Sequence, residues 1–438
     1  MKHLFKILLL AMGLMACKGL HSIKHTFSNA SPSQKYAQSL KSSGLAETAM
    51  GITWKEAGDK ALKDSIVISL PFTESGFFQA ADPEARSYRF EVKEGQVLTV
   101  KGLAKTPPNG KLFIDLFILK NGEWKETASA DTSLNFQYEF EKGYTCLLRV
   151  QPELLINAYF TITLARTPVL INPVQGATNK SIGSFYGDAR DNGTRKHEGV
   201  DIFAPRGTPI LAPTDGHISR VTDTKIGGKV VWMFDFRRGH SYYFAHLDSQ
   251  MVHIGQHVQQ GDVLGTVGNT GNAISTPPHL HFGIYQTGTK DPLYYIHTLE
   301  GFLHATVLDT TFQSQAFKVN AKNAPLYRGP SKKSPVRNTL TKEEYVNVVG
   351  YSQDWCRVVL PNGEEGYVAK KWLSSLKKGT AFQLKQETSL LQGADENAIP
   401  MVLLPPLEEV ELLAVYEKFG YVKTRQGLSG WLILKQAF

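Results

Sequence analysis

The chain has 438 residues, 42% of them hydrophobic, and its 48 Lys and Arg against 40 Asp and Glu give a formal net charge of +8. This length predicts several domains. The basic residues are dispersed, with no stripe of interleaved basic and aromatic residues, so nucleic acid is excluded as the expected partner. A basic protein is instead suited to a place beside anionic cell-wall polymer and lipid headgroups.

Residues 1–16 are typical of a secretory signal peptide, because basic residues precede an apolar run that is too short to span a bilayer. Leu-Met-Ala-Cys at 14–17 resembles a bacterial lipobox, which implies that Cys17 becomes the lipid anchor of the mature protein. The residue after the cysteine is Lys18, whereas an Asp at this position would favour the inner membrane. The resemblance therefore implies an outer-membrane lipoprotein of the cell envelope that faces the periplasm. The alternative is an ordinary cleaved signal with an incidental cysteine.

Two N-terminal segments follow and differ in the period of their apolar residues. Residues 17–63 begin as a polar tether and then show helical intervals, which predict a short helical hairpin. Residues 64–166 consist of short β runs separated by glycine turns, the pattern of a β-sandwich, and resemble the pre-peptidase domains of secreted bacterial proteases. We expect their aromatic side chains to fill the core rather than to bind carbohydrate. Cys146 and Cys356 fall in different domains, so each is expected to be buried and unpaired.

Residues 167–300 form the next module, and short strands separated by glycine turns dominate it. No helical period of any length occurs between 200 and 285. We therefore expect an all-antiparallel β core with a groove over one of its faces.

This module contains the residue types that bind zinc, in the segments 196–209 and 277–285: His197, Asp201, His279 and His281. Alternate side chains of a strand point to the same face, so the paired histidines project together. Zinc in hydrolases takes three protein ligands and keeps a fourth position for water. His197, Asp201 and one histidine of the pair supply these three ligands. The other histidine of the pair is then available for catalysis. His246 is a further candidate for proton relay.

The order of these motifs resembles that of the lysostaphin- and LytM-type zinc metallopeptidases, which cut peptidoglycan peptides. Their signature is His-x-x-x-Asp followed by His-x-His, and the match covers about 168–300. By position, the resemblance implies three ligands of one zinc ion per chain: His197, Asp201 and His281. It also implies two catalytic histidines, which polarise the water and steady the oxyanion: His246 and His279.

The roles of other polar residues of the module are predicted less specifically. The resemblance places Asp188 and Arg190 along the cleft, where Arg190 could bind a substrate carbonyl or carboxylate; an ion pair between the two is the alternative. Glu198 is expected either at the surface or in contact with a metal ligand, and not as the general base, because the helical His-Glu-x-x-His motif is missing. Surface positions are also expected for the remaining histidines: His217, His240, His253 and His257.

Residues 315–375 resemble a bacterial SH3-like domain through Leu-Tyr-Arg-Gly-Pro-Ser at 326–331 and Gly-Glu-Glu-Gly-Tyr-Val at 363–368. A second, weaker copy spans 378–438. The resemblance implies small β-barrels that bind cell-wall peptide and so raise the effective substrate concentration. Packing on the catalytic module, as a gate, is the alternative.

The sequence therefore predicts a mainly β, multi-domain zinc metalloendopeptidase that hydrolyses peptide stems or cross-links of peptidoglycan. Its expected partners are peptidoglycan peptides and, through Cys17, a membrane. The alternative is a non-catalytic LytM-like scaffold that recruits or activates a cell-wall amidase, although the complete metal set favours the enzyme. A third alternative is a wall-glycan-binding protein that acts through its C-terminal domains alone.

Overall fold

The computed structural model describes residues 30–190, 193–298, 307–308 and 315–437. Strands dominate these residues and form several sheets, which confirms the mainly β, multi-domain fold class. The signal segment and Cys17 lie outside the described residues. Within them, no helix has the length and apolar character needed to cross a membrane.

The N-terminal helical hairpin consists of α1 (Pro32–Ser42) and α2 (Ala49–Lys63). Ser31 caps α1 through its side-chain oxygen. Trp54 of α2 donates a hydrogen bond from Nε1 to the Pro152 carbonyl at 2.8 Å and packs against Phe113 of the sandwich. The hairpin is therefore fixed to the adjacent β domain.

The sandwich comprises β1 (Ile66–Val67), β2 (Phe72–Phe78), β3 (Arg86–Val92), β4 (Gln96–Lys105), β5 (Leu112–Lys120), β6 (Glu123–Ser129), β7 (Asn135–Glu139), β8 (Tyr144–Pro152) and β9 (Ala158–Pro168). One sheet has the order β1-β3-β8-β5-β6, and the strands β2-β9-β4-β7 lie in the other. Phe78, Tyr88 and Phe160 are buried in the core between them. Aromatic residues thus fill this core, as predicted. Cys146 and Cys356 are both buried and free.

The central module comprises β10 (Ile182–Ser184), β11 (Ala189–Arg190), β12 (Arg195–Lys196), β13 (Val200–Phe203), β14 (Pro209–Leu211), β15 (Gly216–Thr224), β16 (Gly228–Asp235), β17 (His240–Gln250), β18 (His257–Val258), β19 (Val263–Val267), β20 (His279–Tyr285), β21 (Thr289–Lys290) and α3 (Leu293–Ile296). Its main sheet has the order β10-β13-β20-β17-β16-β15-β18, with antiparallel pairs throughout. Leu280 and Phe282 of β20 are fully buried in the core, which places His279 and His281 on the opposite face.

The junction with the sandwich corrects the prediction for His240, which is only 6% exposed. Its ring lies 5.6 Å from that of Tyr295, in a region where the two domains meet. The neighbouring Arg238 donates to Glu139 of the sandwich at 2.6 Å and 3.2 Å. Arg238 and His240 therefore lie where another domain approaches, an arrangement that the local sequence pattern does not indicate.

The C-terminal part begins with β22 (Gln315–Val319), β23 (Asn323–Tyr327), β24 (Val336–Thr341), β25 (Tyr345–Ser352), β26 (Trp355–Val359), β27 (Glu365–Ala369) and β28 (Leu373–Ser375). It ends with β29 (Thr380–Gln383), β30 (Thr388–Leu391), β31 (Pro400–Leu404), β32 (Glu409–Tyr416), β33 (Phe419–Thr424), β34 (Ser429–Ile433) and α4 (Leu434–Ala437). The last six strands form their own sheet, in the order β29-β32-β33-β34-β30-β31.

The first of these C-terminal domains shares a continuous sheet with the sandwich, because β25 pairs with β2. Gly76 of β2 lies directly opposite Gly350 of β25. A Cβ on Gly76 would lie 2.2 Å from Nη1 of Arg86, so the glycine leaves the space that this guanidinium occupies. We call this pairing and the side chains around it the seam.

A buried polar network lies at the seam. Glu74 of β2 accepts hydrogen bonds from Tyr88 Oη at 2.6 Å, from Arg357 Nη1 at 3.2 Å and from the hydroxyl of Tyr367. Arg357 also donates to Glu365 at 2.5 Å. The network joins strands of both domains, so the first SH3-like domain packs on the sandwich. The sequence reading considered only a free wall-binding module or one that packs on the catalytic module.

Candidate metal centre

The pairing of β13 with β20 creates the site. Asp201 and His281 are direct register partners on these antiparallel strands, so their side chains share one face. His197 precedes β13 and completes the group. Nε2 of His197 lies 3.0 Å from Oδ1 of Asp201 and 2.9 Å from Nδ1 of His281, and the last two atoms are 3.0 Å apart.

Neighbouring groups orient these donor atoms. Nδ1 of His197 lies 2.8 Å from the carbonyl oxygen of Phe185, which can only accept, so Nδ1 carries the proton and Nε2 is left with a free lone pair. Arg190 donates to Oδ2 of Asp201 at 2.9 Å, which leaves Oδ1 facing the histidines. The ion pair of Arg190 is therefore with Asp201, whereas the sequence reading offered Asp188 as its partner.

The donor set suits a divalent transition metal. The ligand atoms of His197, Asp201 and His281 all lie within 4.8 Å of one another, and they are the one such group of His, Cys, Asp and Glu found in the described residues. Two imidazole nitrogens and one carboxylate oxygen are ligands that zinc accepts in hydrolases with an open coordination position. These residues therefore fit a zinc ion.

His246 and His279 lie beside this group, with their ring centroids 5.0 Å apart. Nδ1 of His246 donates to the Thr270 carbonyl at 2.9 Å, and Nδ1 of His279 donates to the Pro277 carbonyl at 2.9 Å. The Nε2 atom of each neutral ring is thus unprotonated. His246 has a φ of 66°, a left-handed conformation that is costly for a residue with a side chain and typical of functional sites.

The surroundings of the site shift the pKa values of three of its residues: Asp201, His246 and His281. Burial lowers the pKa of His246 to about 4, and it also lowers the pKa of His281. Burial alone would raise the pKa of Asp201, but the neighbouring rings of His197 and His281 outweigh it and hold this pKa well below its usual range. The lowered pKa values favour an ionised Asp201 and a neutral His281, the protonation states that a metal requires of such donors.

The donor atoms open into a cleft of about 510 Å³. Tyr243, Phe203 and Ile226 line it, together with Glu198, which is exposed as predicted. Sequence reasoning missed Gly199: a Cβ at this position would lie 2.8 Å from Cε1 of His281 and 2.5 Å from a backbone oxygen. The signal was present in the sequence, since this glycine lies between His197 and Asp201, two of the predicted ligands.

The other histidines of the module do not line this cleft. His253 and His257 are exposed, as predicted. His217 is half-buried, and its ring stacks on Phe236 at a centroid distance of 4.4 Å. None of the three belongs to the group of His197, Asp201 and His281.

A β groove that holds a His-x-x-x-Asp and a His-x-His donor set on adjacent strands defines a metallopeptidase domain. Residues 195–292 match Peptidase family M23, and residues 322–374 match the bacterial SH3 domain. The chain therefore contains a Peptidase family M23 domain and a bacterial SH3 domain, which confirms the resemblance seen in the sequence.

Several curated proteins are similar to this chain. The L-Ala–D-Glu endopeptidase of Bacillus subtilis is 37% identical over 143 residues, 30% of this chain and 44% of that protein. Peptidoglycan DD-endopeptidase ShyC of Vibrio cholerae is 36% identical over 22% of each chain. The uncharacterized lipoprotein YgeR of Escherichia coli is 37% identical over 23% of this chain and 39% of that protein. The chain spans less than half the length of each of these relatives.

Proposed function

We propose that this protein is a zinc-dependent endopeptidase that hydrolyses peptides of bacterial peptidoglycan. The observation that carries the proposal is the convergence of His197, Asp201 and His281 within 3.0 Å of one another at the base of an open cleft. The relatives named as endopeptidases support the substrate class. The complete donor set favours an enzyme over a scaffold that activates an amidase.

We assign His197, Asp201 and His281 as the ligands of one zinc ion. When bound, zinc would polarise the scissile carbonyl and lower the pKa of a water molecule. His246 and His279 each fix their Nδ1 proton on a backbone carbonyl, so their Nε2 atoms are free to accept a proton from the attacking water. A ring protonated in this way can then donate to the oxyanion or to the leaving amine.

Arg190 has a positioning role in this proposal. Its guanidinium holds Oδ2 of Asp201 at 2.9 Å and also donates to Ser184. This arrangement keeps Oδ1 directed at the metal position, as carboxylate and amide neighbours do for ligands in other metal sites. The proposal thus gives Arg190 a task at the ligand, beside the contact with substrate that the sequence suggested.

The proposed location is the outer membrane, with Cys17 as the lipid anchor and the enzyme facing the periplasm. The apolar start of the chain and the lipobox-like Leu-Met-Ala-Cys at 14–17 support it. One relative is itself named a lipoprotein. Labelling of growing cells with a palmitate analogue tests the anchor, because a Cys17→Ala variant should incorporate no label.

The proposed activity is tested by incubating zinc-loaded protein that begins after Cys17 with purified cell-wall sacculi. Mass spectrometry of the released fragments then identifies the bond that is cut. We expect release by the wild type and by a His253→Ala control, whose exposed side chain lies outside the cleft. His281→Ala should lose both zinc and activity, whereas His246→Ala should keep zinc and lose activity. A His281→Ala variant that keeps its cellular role would favour the scaffold.

A further inference from the structure

The last sheet of the chain ends in an exposed apolar strand, β31 (Pro400–Leu404), which we call the apolar edge. It is the outermost strand, so its outer side carries backbone groups that no described strand pairs with. Met401, Val402 and Leu403 are 46%, 38% and 54% exposed. Natural proteins usually protect such edges with charges or with a covering segment, because free edges recruit further strands.

The first SH3-like domain provides an internal comparison. Its strand β24 (Val336–Thr341) occupies the equivalent position. The strand orders correspond, since β24 pairs with β23, which pairs with β27, and β31 pairs with β30, which pairs with β34. There most of the exposed side chains are polar, and Arg337 forms an ion pair with Asp64 of the N-terminal segment at 2.7 Å. The same edge is thus protected in one domain, whereas it is apolar and exposed in the other.

The charged residues near the apolar edge indicate what kind of strand can pair with it. Residues 397–407 carry no charged side chain, but acidic pairs border them: Asp395 with Glu396, and Glu408 with Glu409. A second copy would bring the same acidic pairs to the same edge, so like charges would oppose self-association. Glu396 and Glu409 contact Lys418 and Arg425, whereas Asp395 and Glu408 form no ion pair with any described residue.

We propose that the apolar edge binds an extended segment of a partner protein that has apolar residues in its centre and basic residues at both ends. The segment adds a strand to the sheet: its main chain pairs with β31, and its apolar side chains cover Met401 and Leu403. The prolines at 400, 405 and 406 limit this pairing to the few residues between them. The acidic pairs then face the basic ends of the segment.

The test uses the purified full chain and a short fluorescent peptide of alternating valine and threonine with lysines at both ends. A peptide with glutamates in place of the lysines is the matched control. Fluorescence anisotropy should show binding of the basic peptide that is at least about tenfold tighter. Leu403→Lys should abolish binding, whereas Thr339→Lys on the equivalent strand should leave it unchanged. Leu403 is exposed, so the variant should fold, and an unchanged circular dichroism spectrum checks this.

Three outcomes would overturn the proposal. Equal affinity for the two peptides would remove the role of charge, and binding that survives Leu403→Lys would place the contact elsewhere. A wild-type dimer that becomes monomeric in Leu403→Lys, measured by light scattering, would assign the edge to a second copy. All three are independent of wall hydrolysis, because the apolar edge contributes nothing to the metal cleft.

Discussion

Replacement of Arg357 by methionine should destabilise the unit formed by the sandwich and the first SH3-like domain. Arg357 is 1% exposed and contacts Glu74, which is 0% exposed, and also Glu365. Methionine fills much of the same volume but leaves these carboxylates without their cation. Removal of one partner of a buried ion pair costs about 3–5 kcal/mol. For a unit of this size, that cost corresponds to a fall in melting temperature of roughly 6–20 °C.

Differential scanning calorimetry of the full chain measures this effect. Arg425→Met is the matched control, because Arg425 also pairs with a glutamate but its side chain is 72% exposed. Exposed pairs contribute about 0–1 kcal/mol, so the control should shift the transition by a few degrees at most. The double variant Glu74→Gln with Arg357→Met should lose less than the sum of the single variants. Equal shifts for Arg357→Met and Arg425→Met would refute the seam as a source of stability.

Three further predictions concern the metal centre. Gly199→Ala pushes against the His281 ring and should weaken zinc binding by about tenfold or more in competition with a chromogenic chelator, whereas Gly288→Ala, in open space, should not. Arg190→Leu frees the carboxylate of Asp201, the proposed ligand, so zinc affinity should fall by about 10–100-fold, and an unchanged affinity would exclude the positioning role. In metal-free protein, NMR should show His246 titrating near pH 4. Because this pKa is lowered, the unfolded state takes up the proton first, and stability should decrease from about pH 6.5 towards pH 4.

Much of the site was predictable because its determinants are local. The alternation of His279 and His281 with Leu280 and Phe282 fixes which side chains face the groove, and the structure has the same alternation. The orienting contacts were not predictable, since they join separate segments. The hydrogen bond of His246 to Thr270 depends on how two loops meet, and it has no signature in the sequence.

The domain packing was the least predictable part of the fold. The short strands of the sandwich and of the SH3-like domains follow from period-2 patterns and glycine turns, which act within a few residues. The seam joins Glu74 to Arg357 across the intervening catalytic module, and neither residue lies in a motif. His240 was mispredicted for the same reason, because it lies beside a cavity that its module shares with the sandwich.

The central claim is that three side chains hold one zinc ion that is needed for hydrolysis. It is tested most directly by adding zinc in steps to chelator-treated protein while peptide release from sacculi is measured. We predict no release without metal, a linear rise up to one zinc per chain, and no release at any zinc concentration for His281→Ala. Release by the metal-free protein, or by His281→Ala at the wild-type rate, would contradict the account.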